Sequence, residues 1–149
     1  MAWISLTTDD VKERISGPEY DAFQTWHLSA GQADPIPDTI TGVIREIRGR
    51  VAASARNVLA ADIDTIPDEL YHTALTLIAW RLALRLPTGA VDLQDEGRRT
   101  AYEEAKSTLS AVARGEFSVA QPSALDCDPD SNNENSAGRF GGATVLTIF

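Results

Sequence analysis

The sequence predicts an all-α protein: a compact bundle of four to five helices around a central hydrophobic helix at about 67–86, with an extended C-terminal tail. The stretch 67–86, PDELYHTALTLIAWRLALRL, is the long segment that is apolar on most sides. Within it Leu70, Ala74, Leu77, Ile78 and Leu82 recur at helical spacing. Tyr71, Leu75, Trp80 and Leu84 widen the stripe until only His72, Thr76, Arg81 and Arg85 read as solvated. Further stretches at about 38–57 and 92–113 repeat the helical spacing, and the strand-like run 143–149 stands apart at the end of the chain. A helix this apolar needs neighbours on several sides, and these stretches supply them.

In chain order, Thr7 caps a first short helix, with Asp10 three residues on as its capping-box partner and Leu6 stapling onto Val11. That helix ends near Ile15, where Ser16-Gly17-Pro18 breaks it, and a second covers about 18–28 with Tyr20, Phe23, Trp26 and His27. Trp3, Phe23 and Trp26 read as core or interface aromatics. After a proline-bearing loop at 31–37, Asp38 caps a third helix running to about Asn57, with Ile40, Val43, Ile44, Ile47, Val51, Ala55 and Val58 facing inward.

On that third helix Arg45, Arg48 and Arg56 fall close to one helical row, a basic face on an acidic protein. It reads either as a solvated face making ion pairs or as a surface turned toward DNA or an acidic neighbouring subunit. For the central helix, Thr65 with Asp68 forms a capping-box-like start, Pro67 takes the first helical position, and Leu86-Pro87-Thr88-Gly89 closes it. Arg81 and Arg85 are its cations and the residues expected at a subunit boundary. The short turn then predicts that the helix at 92–113, with Tyr102, Ala105, Leu109 and Val112 inward, folds back antiparallel and ends at Gly115.

The expected domain is therefore 1–115, and 116–149 is an acidic, amide- and glycine-rich tail, flexible in isolation. Its last seven residues turn apolar and β-branched. Arg139, Phe140, Val145, Leu146, Ile148 and Phe149 read as a peptide for adding a strand to another subunit or entering a groove.

The net charge of −9 argues against a protein that wraps nucleic acid with its whole surface. The charge is uneven: residues 1–37 carry −4 (six acids, two bases), 38–66 are neutral, 67–115 carry −1 and 116–149 carry −4 (five acids against Arg139). Acidity thus sits at the two ends. Asp68, Glu69, Arg81 and Arg85 interrupt the central stretch, so it does not read as a membrane span. One cysteine, Cys127, excludes an internal disulfide framework, and with no leader-like segment before Trp3 the expected site of synthesis is the cytoplasm.

Chemical motifs are sparse. The sequence contains no glycine-rich phosphate loop, His-Glu-x-x-His, nucleophile elbow or Cys-x-x-Cys, and His27 and His72 lack metal-ligand spacing. Asp126-x-Asp128-x-Asp130 begins like a calcium loop, but Ser131 and Ala137 stand where that loop needs glycine and glutamate. Neither enzyme activity nor a cofactor or metal is expected.

The capped N-terminal helix, the Ile40-Val43-Ile47 stripe, Ile66-Pro67-Asp68-Glu69-Leu70 leading into LIAWRLALRLP, and TAYEEAKSTLSAVARGEFSV together resemble the small head-to-tail connector (adaptor, or head-completion) proteins of tailed bacteriophages. The spacing of Tyr102, Ala105, Leu109, Ala113 and Gly115 carries part of the likeness, which covers about residues 1–120. The resemblance implies a structural virion protein of the neck. Such a protein is a homo-oligomer, usually a twelve-fold ring, docked under the portal with a stopper or tail-completion protein below, and DNA passes through it. It implies a C-terminal extension reaching the portal or a neighbouring subunit. The long acidic tail and apolar terminus depart from the family pattern. The alternative class is a small helical DNA-binding packaging or regulatory protein using Arg45, Arg48, Arg50 and Arg56 on phosphates.

Overall fold

Thr7 opens the first helix as its sequence indicates: its hydroxyl accepts from the Asp10 amide, and the Asp10 carboxylate accepts from the Thr7 amide at 2.7 Å. In the computed structural model, which describes residues 3–29, 31–86 and 95–123, this helix is α1, Thr8–Arg14. Leu6 and Val11 are both buried, as a hydrophobic staple requires. Helix α2, Gly17–Ser29, comes next, and its Phe23 is buried; the side chains of Trp26 and His27 lie outside the described part.

Helix α3 spans Pro35–Ala52, shifted toward the N-terminus from the expected 38–57. Asp34, not Asp38, is the cap, accepting from the Ile36 amide at 2.9 Å. The prolines that suggest a loop lie in the first helical turn, where the missing amide costs nothing. Ile40, Val43, Ile44, Ile47 and Val51 form the buried stripe, whereas Ala55, beyond the helix end, is exposed.

The start of the central element is also corrected. Thr65–Pro67 is a strand, β2, pairing antiparallel with β1, Trp3–Ser5, through Trp3↔Pro67, Ile4↔Ile66 and Ser5↔Thr65. A single 3₁₀ turn, Asp68–Leu70, leads into α4, Tyr71–Ala83, whose N-cap Leu70 makes no side-chain cap bond. Pro67 therefore ends a strand, a position compatible with its missing amide. Ala74, Leu75, Leu77, Ile78, Leu82 and Ala83 are buried, but Leu84, expected on the apolar stripe, is 56% exposed just past the helix end.

Helix α5 is Glu96–Ala113, capped by Asp95 through the Gly97 amide at 3.0 Å. The expected start at 92 and the turn 87–89 lie outside the described residues. Gly115 ends α5 with φ +75°, its amide donating to Val112 O at 3.0 Å and the Glu116 amide to Ala111 O at 2.9 Å, a Schellman motif. Trp80 stacks on Tyr102 with ring centroids 4.9 Å apart, while the Ala120 amide donates to Glu69 Oε1 at 2.9 Å. Late α4 thus meets early α5, and the turn leading into α4 meets the segment just past the end of α5, so the two helices run antiparallel.

Among the described residues the protein is mostly helical, with one two-stranded sheet. Helices α3, α4 and α5 pack on one another, and α1 lies across α3 and α4. Ile36, Val43, Ile47, Leu77, Ile78, Leu82, Leu109 and Val112 meet in the shared core. Burying each such side chain contributes roughly 1.5–3 kcal/mol. Packing continues past Gly115: Val119 is buried and Ala120 and Gln121 hydrogen-bond to the body, so the expected boundary at 115 falls within packed chain.

Candidate functional site

Two surface features stand out, and one buried cation organises the first. Arg48 projects from α3 not into solvent but beneath the connection between α3 and β2, where it is only 8% exposed. Its guanidinium donates to the carbonyls of Asp62 at 2.9 Å, Thr65 at 3.0 Å and Ala60 at 2.6 Å. It also lies 5.2 Å from the centroid of the Trp3 ring, a cation–π distance. The planar fork of arginine suits this role, since its two terminal nitrogens reach carbonyls of three residues from one rigid plane.

That arrangement fixes the turn it grips. Asp64 donates its amide to Asp62 Oδ1 at 3.0 Å, and the Thr65 hydroxyl donates to Asp62 O at 2.8 Å. At the tip Ile63 is 70% exposed, with exposed Asp62 and Asp64 on either side. The result is an apolar side chain displayed on a braced, acidic turn.

The second feature is a cleft of about 240 Å³ where the α1–α2 corner meets α4 and α5. Ile15, Ala79, Trp80 and Ala101 supply apolar lining, and Arg14, Glu19 and Arg98 supply charge. Arg98 is ion-paired with Glu19 and lies 3.8 Å from Asp95. Small side chains on α4 and α5 leave the space open, and the Trp80–Tyr102 stack bounds it. Its volume is below the roughly 300–1,000 Å³ of small-molecule pockets, so it suits an inserted side chain better than a bound metabolite.

The structure separates the expected basic row. Arg45 is exposed on α3, Arg56 is exposed beyond the helix end, and Arg48 is withdrawn into the body, so the three do not form one outward face. Helical spacing places Arg48 beside Arg45 but cannot show that the connection after α3 folds over it. Arg81 pairs with Glu46 of α3, and Lys106 of α5 approaches the same carboxylate at 3.8 Å, so Arg81 joins helices of its own chain. Arg85 is exposed. The tail residues Arg139, Phe140, Val145, Leu146, Ile148 and Phe149 lie outside the described residues, as do Cys127 and the Asp126–Asp130 run.

Electrostatics knit α1 to the central helix. The Thr7 hydroxyl donates to Asp10 Oδ2 at 2.6 Å and the Tyr71 hydroxyl to Asp10 Oδ1 at 2.9 Å. The Thr7 hydrogen bond is the main cause holding the Asp10 carboxyl below its ordinary range, and the hydrogen bond to Asp10 raises the Tyr71 phenol. Among the described residues no group of three or more His, Cys, Asp or Glu is placed to hold a metal ion, and no helix is long and apolar enough to cross a membrane.

No protein-family model matches the chain, and searches of curated proteins and of solved structures gave no match. The residues that spacing does not single out are Ile63, with its aspartates, and the cleft lining around Trp80. The Asp-Ile-Asp triplet between turn residues is a visible signal; the cleft, assembled from four elements, has none.

Proposed function

We propose that this chain is a structural protein of a tailed-phage neck, a subunit of a ring that docks under the portal and joins capsid to tail while DNA passes. It is then a compact bundle of four to five helices about the central apolar helix, with the chain after the anchored residues 119–121 as its tail, made in the host cytoplasm and resident in the virion. The observation that carries the reading is the anchoring of residues 119–121. Val119 is buried, Trp3 Nε1 donates to Ala120 O at 3.0 Å, and Gln121 accepts from the Val58 amide at 2.8 Å.

These bonds hold the chain beside β1 at the point where its last 26 residues, 124–149, begin. Fully extended, that length reaches up to about 90 Å. The apolar peptide with Val145, Leu146, Ile148 and Phe149 could therefore contact a portal or a neighbouring subunit well beyond its own body.

The rival DNA-binding reading loses Arg48, which is committed to carbonyls inside the chain, and faces a net charge of −9. A salt-dependent gel shift of the purified full-length protein separates the two. The connector reading expects no tight complex at moderate salt; a tight complex there contradicts it.

A further inference from the structure

The braced turn and the cleft are complementary. Ile63 is the most exposed large apolar side chain among the described residues, and its flanking Asp62 and Asp64 carry two negative charges. The cleft is lined by Ile15, Ala79, Trp80 and Ala101; of its two cations Arg98 is already paired with Glu19 and lies 3.8 Å from Asp95, which leaves the exposed Arg14 as the one to meet an incoming acid. A knob whose backbone is already fixed gives up little further freedom on docking, which favours association through a small contact.

The two features lie at different places along the molecule. Arg48 ties the turn down just ahead of β2 and the start of α4, whereas the cleft lies along α4 at Thr76, Ala79 and Trp80. From Tyr71 to Ala79 the helix rises about 12 Å. Knob and socket therefore sit at different places on the surface, an arrangement that permits a head-to-tail contact between copies as well as a two-fold one.

We infer that the Asp62-Ile63-Asp64 turn of one copy seats in the Arg14–Trp80–Arg98 cleft of the next copy of this chain. The aspartates then face Arg14, and Ile63 fills the apolar space between Ile15, Ala79 and Trp80. Head-to-tail contacts of this kind close into rings or run on as filaments. The inference rests on the ring reading above for its closure.

The test uses the full-length chain with Cys127→Ser as background, so that introduced thiols are the only ones. One preparation carries Ile63→Cys, a second, differently tagged, carries Ala79→Cys, and the two are mixed with a short bismaleimide. The expected result is a mixed-tag cross-link, identified by peptide mass spectrometry. Its yield should exceed by about tenfold that of a control pair in which Leu84→Cys, at another exposed apolar position, replaces Ile63→Cys.

Adding Asp62→Arg and Asp64→Arg to the knob copy should abolish the excess, and adding Arg14→Asp to the socket copy should restore part of it. A yield equal to the control, or one indifferent to charge reversal while circular dichroism stays helical, overturns the inference. Failure of the ring reading looks different. Rings formed unchanged by an Ile63→Asp chain would overturn this contact alone, whereas the cross-link with only open chains in electron micrographs would overturn the ring alone.

Discussion

The Arg48 guanidinium lies 5.2 Å from the Trp3 ring centroid, and the same ring donates its Nε1 hydrogen to Ala120 O at 3.0 Å. One aromatic side chain thus links α3, the strand at the start of the chain and the segment beyond α5. The carbonyls of Ala60, Asp62 and Thr65 complete the cluster.

Arg48→Ala removes hydrogen bonds from a charged donor and leaves buried carbonyls without it, a loss of about 2 to 4 kcal/mol. Arg48→Lys should recover less than half, because an ammonium cannot reproduce the fork. Urea unfolding of both variants and of Trp3→Leu, completed as a double-mutant cycle, should show that the two residues are coupled. Additive losses would mean that the cation–π contact contributes nothing.

Leu77 is fully buried in α4, facing the shared core. Leu77→Ala should cost about 2 to 5 kcal/mol by thermal or urea denaturation. A near-neutral result would mean that α4 is not packed as described.

Asp10 and Tyr71 make stability fall at both pH extremes. The Asp10 carboxyl is depressed in the folded chain, so its contribution is complete above the unfolded value of about 3.9 and is lost as pH drops through the folded value. The Tyr71 phenol is raised, so its contribution is complete below about 10 and is lost as pH climbs through the folded value. Asp10→Asn should flatten the acid limb of a plot of unfolding free energy against pH, since asparagine does not titrate. An acid limb identical to wild type would place the acid sensitivity elsewhere.

Truncation after Ser123 keeps Val119, Ala120 and Gln121 and should leave helical circular dichroism and melting temperature close to those of the full chain. Truncation after Gly115 removes the buried Val119 and the acceptor for Trp3, so it should remain helical but melt several degrees lower. Equal melting temperatures would show that 116–123 adds nothing to the fold.

The legible part of the fold was local. The Thr7–Asp10 box, the Leu6–Val11 staple and the glycine stop at Gly115 depend on residues within a turn of each other, and each forms as its spacing indicates. The strand pair was not legible, because each strand is three residues long and its partner lies some sixty residues away. Neither run is long enough to show alternation, so Pro67 reads as a helix start. Arg48 escapes for a related reason: spacing groups residues on a face but does not say which neighbouring segment covers that face. The cleft requires the α1–α2 corner to land on α4 and α5, which no single stretch encodes.

A ring subunit under the portal is tested most directly by electron microscopy of assembled phage particles carrying a tagged copy of this chain. Tag density should appear in a ring between portal and tail, and withholding the chain should leave DNA-filled heads without attached tails. Normally tailed particles that lack the tag, or that form without the chain, would contradict that role.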